Sequence, residues 1–223
     1  MPWAAYNRAR VPHCQNEFGC KSLFLKSPPA LILASTSRYR KALLARLGLD
    51  FSCVAPGVDE TPAPGEAPIA LVARLARAKA AAVAALKPEA WVIGSDQVAV
   101  LDAAGAPTIL GKPGSEERCQ SQLQSCSGRS VEFLTAVAVM RQESNSVSEF
   151  MDRTCVKFRT LDEAAIDRYV AMERPLDCAG AFKSEGLGIA LCESIESTDP
   201  TGLIGLPLIR LSAALRAAGF ELP

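Results

Sequence analysis

Histidine is all but missing from this 223-residue chain; the one that occurs, His13, lies near the beginning. A Ser-His-Asp or Cys-His centre, or a histidine-ligated metal, therefore cannot be assembled from the main body of the sequence. An enzyme built from these residues takes its base from a carboxylate and holds any metal as a hard ion, through oxygen. Net charge is missing too: 24 Lys and Arg balance 24 Asp and Glu, which argues against a uniform polyanion-binding surface. With aromatic residues at 6%, a nucleic-acid partner is not expected. No apolar run reaches the roughly 20 residues of a membrane span, so no membrane partner is expected either. The eight cysteines contain no C-x-x-C pair and are scattered, some within apolar runs such as Phe51-Ser52-Cys53-Val54. They read as small buried thiols of a reducing compartment, the cytoplasm. His13, Cys14 and Cys20 lack the fourth ligand and the spacing of a zinc site.

The chain has 49% hydrophobic residues, enough to bury a full core, and 22% charged residues, as in an ordinary globular protein. Its length suits about one compact unit. Residues 1–28 mix aromatic, basic and polar side chains without a period and lack the apolar region of a secretory signal. They read as a poorly ordered extension or a mis-set start, leaving 29–223 as a single domain.

That domain opens with a buried strand, Ala30–Ala34, then Ser35-Thr36-Ser37 and a helix from Arg38 to Leu47, with Gly48 as its C′ residue. An alanine-rich helix is predicted from Ala67 to Leu86, and a long strand over Trp91–Leu101 is interrupted by a polar pair. A helix over Glu116–Gln124 follows. Strands at Val131–Met140 and Asp152–Phe158 flank a polar loop, Arg141–Glu149, as an antiparallel pair. Thr160-Leu161-Asp162-Glu163 has the form of a capping box for a helix ending before Pro175. An amphipathic tail helix spans Leu208–Ala218, the surface on which a homodimer contact is expected. The sum is a mixed α/β fold.

Three polar clusters interrupt this apolar framework. Ser35, Ser37, Arg38, Arg40 and Lys41 stand between a buried strand and a helix N-terminus, where backbone N–H groups, hydroxyls and guanidinium groups suit a phosphate. A Ser N-cap followed by a solvated basic face accounts for them equally. Val58-Asp59-Glu60-Thr61 suits either a divalent cation or a solvated loop. Asp96, in Gly94-Ser95-Asp96-Gln97, is the strongest candidate for a base or metal ligand, because a carboxylate in an apolar strand needs a cation or donors. A satisfied carboxylate at a bulge is the alternative. Cations are at hand in Arg74, Arg77 and Lys79 on one helix and in Lys112 in a tight turn. Gly111-Lys112-Pro113 is no P-loop, since Pro113 stands where Ser or Thr is required. Carboxylates and cations without histidine suit metal-assisted attack on a phosphoanhydride.

Leu31-Ile32-Leu33-Ala34-Ser35-Thr36-Ser37 with Arg40 resembles the opening motif of the Maf family of nucleoside triphosphate pyrophosphatases. Val58-Asp59-Glu60, Gly94–Gln97, Gly111–Pro113, Cys178–Gly186 and Gly202–Pro207 follow in that family's order. The resemblance implies a Maf/ITPase-like mixed sheet flanked by helices, with two lobes around a nucleotide cleft. It implies hydrolysis between the α- and β-phosphates of a nucleotide substrate, with a divalent metal, Mg²⁺ or Mn²⁺, in the clearance of modified nucleotides. The proton acceptor falls on Asp96, phosphate binding on Ser35, Ser37, Arg40, Lys79 and Lys112, and the metal on Glu60 and Asp96. Gly94–Gln97 and Phe182–Gly186 look like the branch acting on 7-methyl-GTP, whose specificity positions fall on Tyr39, Gln97 and Glu185. An aromatic face at Tyr39 attracts the positively charged methylated base, and Glu185 accepts from guanine N–H groups. Arg38, Tyr39 and Lys41 depart from the usual Pro, Trp and Arg. A dTTP/UTP pyrophosphatase and a nucleotide-binding regulator of cell division without turnover remain the alternatives.

Overall fold

The computed structural model describes residues 29–103 and 106–223; the expectations for residues 1–28, His13 included, lie outside them. The elements run β1 (Leu31–Leu33), α1 (Arg38–Ala45), β2 (Ser52–Cys53), α2 (Pro68–Ala84), β3 (Trp91–Ala103) and β4 (Ala106–Leu110), then α3 (Glu116–Cys126) and β5 (Ser130–Arg141). β6 (Ser146–Phe158), α4 (Glu163–Glu173), β7 (Cys192–Ser197) and α5 (Leu208–Ala217) complete the chain. The seven strands form one mixed sheet in the order β2-β1-β3-β5-β6-β7, with β4 also on β3. β1 is parallel to β2 and to β3, and the other pairings are antiparallel. The mixed α/β architecture is the one expected.

β3 organises the molecule, and its side chains alternate as a strand requires. Val92, Val98 and Val100 face α2, whose Val72, Leu75, Ala76, Ala80 and Val83 recur at helical spacing to meet them. On the opposite face, Ile93 packs with α1 and α5 through Leu43, Leu44, Leu211 and Leu215. Further along that face, Ala99 and Leu101 join α3 and α4 through Leu123, Ile166 and Tyr169. Two apolar centres thus share one face of a continuous sheet. The apolar stripe of α5, the surface expected to carry a dimer contact, is spent inside this core, and Ile209 is left exposed. No helix among the described residues is long and apolar enough to cross a membrane.

Four details differ from the sequence reading. The polar pair in β3 does not interrupt it: pairing with β5 runs without a break from Val92 to Leu101, so no bulge exists at Asp96. The hairpin turn after β5 is short, because Ser146 already pairs with Arg141. The α4 cap is Asp162, whose Oδ1 accepts from the Ala165 N–H at 2.7 Å. Thr160 is not that cap, because Leu161 is tied to Ser127 through both its N–H and its carbonyl, which holds the chain extended one residue further. β2, β4 and β7 are additional strands.

Candidate active site

The site lies where β3 has an open edge. On one side of β3, β1 pairs only as far as Leu33 with Ile93, and β4 begins its pairing at Ala99 with Leu110. Gly94 to Val98 therefore have no strand beside them there among the described residues. Because β1 runs parallel to β3 and β4 antiparallel, the ends of both strands converge on this gap. The Ser35–Ser37 loop leaves one and Gly111-Lys112 leaves the other. A cavity of about 740 Å³ opens at this point, within the range of small-molecule sites. All ten residues to which the family resemblance assigns a role line it: Ser35, Ser37, Tyr39, Arg40, Glu60, Lys79, Asp96, Gln97, Lys112 and Glu185.

Strand alternation assigns the polar residues of β3 to two tasks. Asp96 points with Val98 toward α2, where Lys79 Nζ lies 2.7 Å from Asp96 Oδ1 and 2.7 Å from Glu60 Oε1. Lys79 and Asp96 are both buried, at 5% and 7% exposure, so each supplies the partner that the other's burial demands. Asp96 Oδ2 has no hydrogen-bond partner among the described residues. α2 approaches closely because residue 94 is glycine: a Cβ there would stand 2.2 Å from the Ala76 carbonyl oxygen and 2.5 Å from the Ala80 nitrogen.

Ser95 and Gln97 face the other way and hold the loop before α5. Ser95 Oγ donates to the Gly205 carbonyl at 2.9 Å, and Arg40 Nε donates to the same oxygen at 3.0 Å. Gly205 has φ of 117°, a conformation open to glycine, and its Cα faces the Arg40 side chain. Gln97 Nε2 donates to Thr135 Oγ1 at 2.8 Å and to the carbonyls of Gly202 and Leu203, each at 3.0 Å. What Gln97 has left for a ligand is its Oε1, an acceptor. The loop is braced from below by buried Asp199, which accepts from Thr201 and from the Ile209 N–H at the start of α5.

The phosphate-side groups form a graded cationic wall. Ser37 caps α1, accepting from the Arg40 N–H at 3.4 Å, and its own N–H donates to Ser35 Oγ at 3.1 Å. Burial pushes the Arg40 guanidinium below its usual range, and the charges of Asp96 and Glu60 oppose that shift. Burial opposes ionisation of Glu60, yet the hydrogen bond from Lys79 and the charges of Lys79, Lys112 and Arg40 hold its carboxyl below the usual range. Lys112 is exposed at the rim. Arg74 and Arg77, neighbours of Lys79 in sequence, are elsewhere: they pair with Glu66 and Glu149. Lys41 and Asp59 do not line the cavity.

The far end is acidic and aromatic. Tyr39 Oη donates to Asp177 Oδ1 at 3.2 Å, with Cys178 Sγ 3.7 Å away, and Glu185 stands exposed nearby along the lining. Burial pushes the Cys178 thiol up to about 11. Asp177 and Thr135 were not legible as site residues: Asp177 is one acid in a polar stretch, and Thr135 is a hydroxyl in an apolar strand.

Among the described residues, no group of three or more His, Cys, Asp or Glu forms a ready metal cage. Glu60 and Asp96, two hard oxygen donors brought to one ammonium, fit an ion of the Mg²⁺ kind, which takes one or two carboxylates and completes its shell with phosphate oxygens and water.

This chain belongs to the Maf family: the model described as "Maf-like protein" matches residues 30–218. It is 55% identical over 195 residues to a protein of Xanthomonas axonopodis pv. citri named "7-methyl-GTP pyrophosphatase", covering 87% of this chain and 100% of that one. A protein of Bordetella pertussis with the same name is 54% identical over 194 residues, covering 87% and 94%. Among solved structures, a HAM1 protein from Coxiella burnetii matches with a TM-score of 0.40 and 18% identity, over 59% of this chain and 73% of that one.

Proposed function

We propose that this protein is a nucleotide pyrophosphatase that hydrolyses 7-methyl-GTP between its α- and β-phosphates, giving 7-methyl-GMP and diphosphate. The observation that carries this reading is Asp96: a buried carboxylate at the open edge of β3, fixed by Lys79 through Oδ1, with no hydrogen bond to Oδ2 among the described residues. Asp96 acts as the proton acceptor for a water that attacks the α-phosphorus. Lys79 fixes its orientation, and Arg40, whose Nε is bound to Gly205, offers its terminal nitrogens to the phosphates. Ser35, Ser37 and Lys112 complete the phosphate contacts, and Arg40 and Lys112 stabilise the charge that builds on the departing diphosphate. Glu60 and Asp96 would hold a divalent cation, Mg²⁺ or Mn²⁺, which supplies further charge neutralisation when bound.

Tyr39, Gln97 and Glu185 read the base. Glu185 and Gln97 Oε1 are acceptors suited to the N1–H and N2–H of guanine, and Tyr39 offers an aromatic face. The names carried by relatives at 54–55% identity support this specificity. Residues 29–223 act as one domain, and the protein works in the cytoplasm, in keeping with six free cysteines among the described residues.

Diphosphate release from 7-methyl-GTP, GTP, dTTP and UTP, with Mg²⁺ or Mn²⁺, tests the reading in wild type and Asp96→Asn. The expected result is highest kcat/KM on 7-methyl-GTP and a loss of about 10²–10⁴-fold in the variant, the span of general-base catalysis. Equal rates for the two proteins would remove Asp96 from the mechanism. Faster turnover of dTTP or UTP would assign the other pyrophosphatase specificity, and no release from any nucleotide would favour a binder without turnover.

A further inference from the structure

The base end of the cavity already contains a planar cation. The guanidinium carbon of Arg38 lies 4.8 Å from the centroid of the Tyr39 ring, and Nη2 donates to Tyr39 Oη at 2.7 Å. The same Nη2 is 3.4 Å from Asp177 Oδ2, while Asp177 Oδ1 accepts from Tyr39 Oη at 3.2 Å. An aromatic face and a carboxylate, held together by a hydrogen bond, thus share one delocalised positive charge. The charges lining the cavity are grouped accordingly: Arg40, Lys79 and Lys112 gather around Glu60 and Asp96, whereas Asp177 and Glu185 act together on Cys178. A ligand complementary to both groups is a polyanion joined to a cation. N7-methylation makes guanine such a cation: flat, delocalised and weakly hydrated like a guanidinium.

We infer that Asp177 is a specificity-determining residue for the positive charge of the base, that Asp177 and Tyr39 together form the niche for it, and that Arg38 is an internal competitor for the same niche. The inference rests on the 7-methyl-GTP reading and deepens it. Arg38 is free to leave: its side chain is 72% exposed, against 48% for Asp177, so it can swing into water when the methylated base arrives. Unmodified guanine brings no charge and cannot take its place on electrostatic grounds. GTP therefore meets the Arg38–Asp177 pair as an obstacle, and 7-methyl-GTP exchanges with it.

The test compares kcat/KM for 7-methyl-GTP and GTP in wild type, Asp177→Asn, Asp177→Glu and Arg38→Gln. Asn retains an acceptor for Tyr39 Oη while removing the charge, which separates electrostatic from positioning effects. In Asp177→Asn the preference for 7-methyl-GTP over GTP falls about three- to fivefold, the scale of a partly exposed charge contact, mainly through KM. Asp177→Glu restores most of it, and Arg38→Gln raises the preference by about two- to fivefold. Calorimetric binding of 7-methyl-GMP and GMP in metal-free buffer follows the same order, independently of turnover. An unchanged preference in Asp177→Asn, at unchanged thermal stability, overturns the inference while the proposed function stands. A fall in preference in Arg38→Gln likewise overturns it, since the guanidinium would then be assisting the base. A wild type with no preference for 7-methyl-GTP removes the functional reading and this inference with it.

Discussion

Replacing Lys79 by Met leaves the buried stem of the side chain in place and removes its charge. In wild type that ammonium stands 2.7 Å from both Glu60 Oε1 and Asp96 Oδ1. The Glu60 side chain is 57% exposed and turns to water, but that of Asp96 is only 10% exposed and cannot. Removing one partner of a buried ion pair costs about 3–5 kcal/mol. Arg40 still faces Asp96 from α1, so the loss belongs at the lower end, about 3 kcal/mol. For a chain of this length each kcal/mol shifts Tm by roughly 2–4 °C, giving a fall of about 6–12 °C for Lys79→Met. Lys79→Met/Asp96→Asn leaves neither charge buried and recovers most of that loss, which makes the two substitutions strongly non-additive. Exposed Lys112→Met serves as control and changes stability by no more than about 0.5 kcal/mol. Thermal unfolding by circular dichroism reads all four proteins. A Lys79→Met protein melting within about 1 °C of wild type, or a double variant less stable than the single, would refute the assignment of Lys79 as the cation that keeps Asp96 buried.

Gly94→Ala drives a Cβ into the backbone of α2, 2.2 Å from the Ala76 carbonyl oxygen. Overpacking of this kind costs about 1–3 kcal/mol or more, and it pushes Lys79 away from Asp96, so both the urea midpoint and diphosphate release fall. An unchanged midpoint would mean that the two elements are not so tightly apposed. Glu66 tests a surface contact by pH. Arg74 donates to it twice, at 2.6 and 2.7 Å, and the Ala63 N–H donates once, at 3.0 Å. These bonds, led by those from Arg74, hold its carboxyl at about 2 in the folded protein, against an ordinary 4.5. A depressed folded value stabilises the protein above the ordinary value and ceases to do so as pH falls through the folded one. The difference in urea midpoint between wild type and Glu66→Gln is therefore constant at neutral pH, narrows below 4.5 and disappears near 2. A difference that persists unchanged into acid would refute the ion pair as its source.

The elements that sequence reading recovers are those whose own residues dictate them. α1 has its Ser37 cap, α2 its buried face from Leu71 to Ala84 behind Pro68, and β3 and β5 are long and apolar. β2, β4 and β7 escaped because partners define them. Ser52 and Cys53 are exposed and become strand only beside β1, and Cys192–Ser197 is mostly polar and pairs with β6. The need of Asp96 for a cation was legible from its apolar setting, whereas the choice among the α2 cations depended on the helix face. A helical-spacing signal existed: Lys79 falls among Leu75, Ala76, Ala80 and Val83 on the buried side, while Arg74 and Arg77 point outward to surface acids. Asp177 gave no such signal, since its role depends on Tyr39, which lies far away in sequence and is joined to it only by the fold.

The geometry also accounts for the two faces of β3 serving one cavity. An acid aimed at α2 and two polar side chains aimed at the loop before α5 lie on opposite sides of a sheet, and a fully paired strand would keep them apart. Here the three-residue length of β1 and the late start of β4 leave Gly94 to Val98 without a neighbour on one edge. Around that edge a single ligand can reach Asp96 on one face and Gln97 on the other. Extending β1 by five residues in the same register would close the gap, and shifting β3 by one residue would turn Asp96 toward the Gly205 carbonyl and Ser95 toward Lys79. The short first strand and the β3 register are therefore as much part of the site as the carboxylate itself: one supplies the opening, the other directs the charge into it.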